Sequence, residues 1–158
     1  MYTLAVDGLE GLEACKACYC LAARRAARAI TRLYEARLRP YGLKATQFSV
    51  LAALALKGPT PLGELAELLG LERTTLTRVA AVLTRKGLLG SARSRDGRER
   101  RLEVTAAGRD CLARALPAWR TAQADAERRL QAGAWQVLVL QPSAGGERPG
   151  TARAGLPN

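Results

Sequence analysis

The sequence predicts a mainly α fold with one small β-hairpin, and three observations carry that prediction. Apolar residues recur at spacings of three and four in the segments up to Lys86. Asp96-Gly97 then lies between two short runs, Leu88–Arg93 and Arg100–Val104, which is a strong hairpin signal. After Val104 the helical period returns in an Ala-rich stretch.

Taken in order, Gly11 to Tyr41 reads as a first helix. Ala22, Ala26, Ala29, Ile30 and Leu33 form its stripe, while Arg24, Arg25, Arg28 and Arg32 fall mostly on other faces. Pro40 and Gly42 end it. Thr46 is the expected cap of a second helix whose inner face is Phe48, Leu51, Ala52 and Leu54, and which stops before Gly58-Pro59. Pro61 to Leu69 forms a short helix with Leu62, Leu65, Ala66 and Leu69 inward, and Gly70 turns the chain. A fourth helix runs from about Glu72 to Lys86, closed by Gly87 as a left-handed C-cap. Beyond the hairpin, Thr105 starts a helix to Leu116. Pro117 is expected to kink or break it, because proline lacks the backbone donor. Helical spacing resumes from Ala118 to about Leu140, and Gln141 to Asn158, rich in Gly and Pro without a period, reads as a disordered tail.

Composition narrows the function. The 158 residues carry 25 Lys and Arg against 14 Asp and Glu, a net charge of +11, which favours a polyanionic partner. Apolar residues make up 48%, enough for a core, so disorder throughout is excluded. The chain has no histidine, which removes Ser-His-Asp and Cys-His catalysis and His-based zinc sites. No segment approaches the roughly 18–20 uninterrupted apolar residues of a membrane span. The N-terminus lacks the basic start and apolar run of a secretory signal, so a cytoplasmic location is expected, with free thiols.

Helix, helix, Gly turn, helix and basic hairpin together make a winged helix-turn-helix. Its fourth helix puts Leu76, Val79, Ala80 and Leu83 on one side. Thr74, Arg78, Ala81 and Arg85 lie opposite, flanked by Arg73, Thr75 and Thr77. Small hydroxyl residues let a helix sink into the major groove while arginines reach phosphates or guanine edges. The alternative for such a face is plain solvation; the short helix before it and the Arg-dense hairpin after it favour DNA. In that hairpin Arg93, Arg95, Arg98, Arg100 and Arg101 outnumber Asp96 and Glu99. A tip arginine suits a narrow minor groove, with Asp96 bracing Arg98. The candidate DNA contacts are Arg73, Thr74, Thr75, Thr77, Arg78, Arg85, Arg95, Asp96, Arg98 and Arg100.

From Ala22 to Leu130, about two thirds of the chain, the sequence resembles the MarR family of winged-helix regulators. The resemblance rests on Leu43-Lys44-Ala45-Thr46-Gln47-Phe48-Ser49-Val50-Leu51, Leu62-Gly63-Glu64-Leu65-Ala66 and Thr74-Thr75-Leu76-Thr77-Arg78. It continues through Leu83-Thr84-Arg85-Lys86-Gly87-Leu88, Asp96-Gly97-Arg98 and Leu102-Glu103-Val104-Thr105-Ala106-Ala107-Gly108. It implies a homodimer joined through helices from both chain ends, which represses from a pseudo-palindromic operator until an effector releases it. It makes Asp96 and Arg98 the wing pair and places Thr74, Thr75, Thr77 and Arg78 in the recognition helix. Two apolar-striped end helices also need a partner surface on physical grounds alone. A two-fold dimer spaces recognition helices about 34–36 Å apart. The expected organisation is 1–41 dimerisation helix, 42–104 DNA-binding lobe, 105–140 dimerisation helices and 141–158 tail.

Cys15-Lys16-Ala17-Cys18-Tyr19-Cys20 points to an effector. Three sulfurs in six residues suit a soft ion such as As(III), Sb(III), Hg(II) or Cu(I), with Cys111 as a fourth candidate ligand from the same or the partner subunit. Cys15 and Cys18 share a helix face and Cys20 does not, so three-sulfur ligation needs an irregular helix start or a thiol from elsewhere. A Cys-X-Cys here also looks like that of a subgroup of MarR-type proteins. Oxidation of Cys15, Cys18 or Cys20 to a sulfenic acid and then a disulfide is the rival effector chemistry, and simple packing at a dimer seam is the bland one. The resemblance brings a third effector class, an aromatic acid or phenol, for which Tyr34, Tyr41, Phe48 and Trp119 are candidates, although so few aromatics more often serve as core.

Two readings of other classes compete. A basic RNA- or ribosome-associated module explains the charge but leaves the Asp-Gly wing and thiol cluster unmotivated. A cysteine enzyme would need a general base, and no Cys-X-X-Cys follows a strand. The expectation is a non-enzymatic homodimeric repressor of double-stranded DNA, with no membrane role.

Overall fold

The computed structural model describes residues 11–93 and 100–129. Five α-helices and a small sheet follow the expected order: α1 (Tyr19–Leu38), α2 (Ala45–Lys57), β1 (Thr60–Pro61), α3 (Leu62–Leu69), α4 (Arg73–Arg85), β2 (Leu89–Arg93), β3 (Arg100–Val104) and α5 (Ala106–Arg129). The core joins Leu38 of α1, Val50, Leu51 and Leu54 of α2, Leu65 of α3, Leu76 and Leu83 of α4, and Ala115 of α5, all fully buried. Phe48, Leu51 and Leu54 of α2, Leu65 and Ala66 of α3, and Leu76, Ala80 and Leu83 of α4 are buried as expected, whereas Ala52, Leu62, Leu69 and Val79 are half-buried and Gln47 and Val50 are buried in addition.

Several local features depart from expectation. The first helix does not run unbroken from Gly11 to Tyr41. Leu12–Ala17 is a 3-10 turn, Cys18 is extended at φ −64° and ψ 113°, and Arg39–Tyr41 is a second 3-10 turn after α1. Residues 12–17 bury nothing, and so short a helical segment without tertiary contacts has little to hold it regular. The cap of α2 is not Thr46: the helix starts at Ala45, and Gln47 Oε1 accepts the Lys44 N–H at 3.1 Å.

Pro61 belongs to an unexpected strand rather than to α3. β1 pairs antiparallel with β3, Thr60 opposite Leu102 and Pro61 opposite Arg101, giving a three-stranded sheet in the order β1-β3-β2. Proline is tolerated there because β1 is an edge. Pro117 does not break α5, which continues through it to Arg129. Only one backbone donor is lost, and packing holds the axis: Ala115 is buried just before Pro117, and beyond it Trp119 stacks on Phe48 at 5.8 Å and Asp125 meets Arg37 of α1 at 2.9 Å. The end of the expected 118–140 helix and the tail lie outside the described residues.

Gly87 does take the left-handed conformation, at φ 72°. Its N–H bonds Thr84 O and Leu88 N–H bonds Leu83 O, which stops α4 and turns the chain into β2. The hairpin register pairs Leu89 with Val104 and Arg93 with Arg100. Thr105 then fastens the base of the hairpin to α5: its hydroxyl donates to Gly87 O at 2.7 Å and accepts the Gly108 N–H at 3.0 Å.

Candidate nucleic-acid interface

α4 is held by one face and open on the other. Leu76, Ala80 and Leu83 are buried and Val79 is half-buried, which fixes the rotation of the helix about its axis. Arg73, Thr74, Thr75, Thr77, Arg78, Ala81 and Arg85 are all exposed. Six of the ten expected contacts therefore share one exposed helix face. The Thr77 hydroxyl donates back to Arg73 O at 2.7 Å, leaving its oxygen lone pairs outward as an acceptor. A turn at Gly70, at φ 60°, joins α3 to α4 and sets the two helices of the motif side by side. Lys57 of α2 pairs with Glu64 of α3, so one acidic group near this basic lobe is already neutralised.

Arg100 is exposed on β3, at the end of the ladder farthest from α5. Arg95, Asp96 and Arg98 lie outside the described residues. The register pairs position 93 with position 100 at the end of the described ladder.

The end helices form a second region. α1 lies along α5, with Tyr34 Oη bonded to Gln123 and Arg37 bonded to Asp125, which Arg128 also reaches. The Arg37 hydrogen bond, reinforced by the Arg37 and Arg128 charges against some desolvation, holds the Asp125 carboxyl below the usual carboxylate range. Burial, and then the Glu127 charge, raise the Tyr34 phenol. Ala22 stays exposed, and Ala26 and Ala29, also exposed, with half-exposed Ile30 and Leu33, line a shallow groove that Ala126 completes. Leu12, Tyr19 and Leu21 are also exposed, Tyr19 at 91%.

Cys15, Cys18 and Cys20 are exposed at the head of this region. Cys111 does not join them: it is buried under the turn after α1, its Sγ 3.9 Å from Tyr41 O. Among the described residues no three His, Cys, Asp or Glu side chains assemble to hold a metal ion, so the expected four-cysteine set does not fit one within a single chain. The aromatic residues separate as well. Phe48 and Trp119 stack at an interplanar angle of 9°, while Tyr34 engages Gln123 and Tyr41 faces solvent. Phe48, Ala52 and Leu56 of α2 and Leu112, Leu116 and Trp119 of α5 line an open, wholly apolar cleft of about 380 Å³. Sequence reading missed its aliphatic members, because they lie on two helices far apart in the chain.

Comparison with known proteins agrees with this architecture. The model of the MarR family matches residues 41–102. The transcriptional regulator MosR of M. tuberculosis is 40% identical, over 77% of this chain and 88% of MosR, with a TM-score of 0.66. The chain belongs to the MarR family. Other family structures superpose as well on this MarR-family chain: MosR in complex with DNA at 43% identity, with the same coverage and a TM-score of 0.67. PcaV of Streptomyces coelicolor, in complex with its natural ligand, matches at 25% identity, over 79% of this chain and 89% of PcaV, with a TM-score of 0.69. A search of curated proteins finds no match. No helix among the described residues is long and apolar enough to cross a membrane.

Proposed function

We propose that this MarR-family chain is a transcriptional repressor that binds duplex DNA as a homodimer and leaves it when an effector attacks the cysteines at the head of α1. The observation that carries the reading is α4, locked by its apolar face with four threonines and three arginines exposed along the rest of it. That exposed face suits a major groove: short hydroxyls permit close approach, and Arg78 at its middle is placed for a guanine edge. The wing, with Arg95, Asp96, Arg98 and Arg100, takes the adjacent minor groove. MosR, at 43% identity, is a DNA-bound precedent. The exposed Ala22-Ala26-Ala29 stripe and the groove beside Ala126 supply the dimer seam.

The effector acts through Cys15, Cys18 and Cys20. A soft metal or metalloid ion is the first reading, and since the described residues of one chain do not assemble three ligands, it calls for thiolates from both subunits or a rearranged turn. The break at Cys18 supplies the irregular helix start such a rearrangement needs. Oxidation is the second reading, favoured by the exposure of all three thiols. A DNA titration on the protein's own upstream region tests both, with As(III), Cu(I), Hg(II), Zn(II) or peroxide added, for the parent and for Cys15→Ser, Cys18→Ser and Cys20→Ser. Release by a soft ion, lost in the Ser variants, establishes a thiolate sensor. Release by peroxide alone establishes a redox switch. Indifference to all five returns the cysteines to packing.

A further inference from the structure

Gly63 is the second residue of α3, and its backbone is ordinary for a helix, so no left-handed conformation requires glycine there. Helix propensity argues against glycine at that position. The space around it gives the reason. A Cβ added at Gly63 would lie 2.8 Å from Arg73 Nη2, 3.2 Å from Cζ and 3.6 Å from Nε. The guanidinium of Arg73, at the first position of α4, therefore reaches back to α3 and occupies, Nη2 foremost, the space a side chain at Gly63 would need. The other exposed arginines of α4 have no seat of this kind among the described glycines.

We propose that Gly63 is a positioning residue for DNA binding: it seats the Arg73 guanidinium at the junction of α3 and α4, where Arg73 grips a backbone phosphate and does not read a base. The inference rests on the DNA-binding function proposed above. In a helix-turn-helix the second helix enters the major groove and the first crosses the sugar-phosphate backbone. A guanidinium drawn from α4 onto the first turn of α3 lies with the helix that crosses the backbone. The two roles on α4 are thereby divided, Arg73 for phosphate and register, Arg78 for base edges. Seating matters because a free arginine must lose its rotamer freedom when it binds, whereas a seated one has already lost it.

The conflict a Cβ would create involves only the end of a flexible side chain, so Gly63→Ala moves Arg73 and leaves the fold intact. The experiment is a double-mutant cycle on duplex DNA with the parent, Gly63→Ala, Arg73→Ala and the double variant. Affinity is measured across a salt series on the upstream duplex and on a scrambled duplex of equal length, with thermal melting alongside. Arg73→Ala is expected to weaken both duplexes by a similar factor, roughly tenfold, and to reduce the log–log salt slope by about one. Gly63→Ala should reproduce part of both losses in the parent, none in the Arg73→Ala background, and melt no lower than the parent. Gly63→Ala binding like the parent, or weakening binding equally in both backgrounds, overturns the positioning role. Loss confined to the upstream duplex in Arg73→Ala overturns the phosphate role. A parent that binds neither duplex overturns the DNA-binding reading itself, an outcome distinct from these.

Discussion

Gly108, in the first turn of α5, is the point where that helix crosses the base of the wing, and its replacement by alanine tests how rigidly the two are joined. A Cβ there would sit 2.2 Å from Leu88 O and 2.7 Å from Val104 Cγ2. An ordinary contact needs about 3.4 Å, so something must retreat by about 1 Å. The obstacle is backbone, and Leu88 O is already engaged, accepting the Thr105 N–H at 3.1 Å. Overpacking of this kind costs about 1–3 kcal/mol, and weakening the Leu88–Thr105 bond costs about 1 kcal/mol more. Better helix propensity returns about 1 kcal/mol. The net loss is about 2 kcal/mol, or a melting point lower by about 4–8 °C in a chain of this size. Differential scanning calorimetry of Gly108→Ala against the parent measures it. A melting point equal to or above the parent's would refute the close approach, and with it the rigid coupling of wing to α5.

Other outcomes follow from the same packing. Trp119→Ala removes the ring stacked on Phe48 beside Pro117 and should destabilise by about 3 kcal/mol in a denaturant titration, with a break in α5 near Pro117 as the accompanying change. Asp125 titrates below its unfolded value, so its clamp on Arg37 stabilises the fold at neutral pH and is lost only as pH falls through its depressed pKa. Asp125→Asn should therefore melt below the parent at pH 7, and the gap should close in acid; a gap that widens in acid contradicts the assignment. Affinity for DNA should fall steeply with added salt, as it does when several phosphates are contacted, and a flat response would contradict a basic interface.

The α4 face was legible in the sequence because two signals agreed there, apolar spacing at Leu76, Ala80 and Leu83 and arginine or threonine at the complementary positions. Gly87 was legible because a left-handed C-cap has a strong residue preference. β1 was not, since two residues, one of them proline, carry no period, and the strand exists only because β3 offers it an edge. Pro117 misled for the opposite reason: local chemistry breaks helices, and the α1 and α2 contacts that override it come from residues some seventy to ninety positions away. The 3-10 turn at Leu12–Ala17 and the extended Cys18 gave no sign in a pattern that fits a continuous helix. The contact of Arg73 with Gly63 arises only when Gly70 folds α4 back beside α3, so neither residue announces it.

The central claim is that α4 reads duplex sequence, and one titration addresses it most directly. Parent and Arg78→Ala are titrated at equilibrium on the protein's own upstream duplex and on a scrambled duplex of equal length and salt. The parent should prefer the upstream duplex, and Arg78→Ala should lose about 1–3 kcal/mol of that preference while keeping its affinity for the scrambled one. Equal binding of both proteins to both duplexes would contradict the claim.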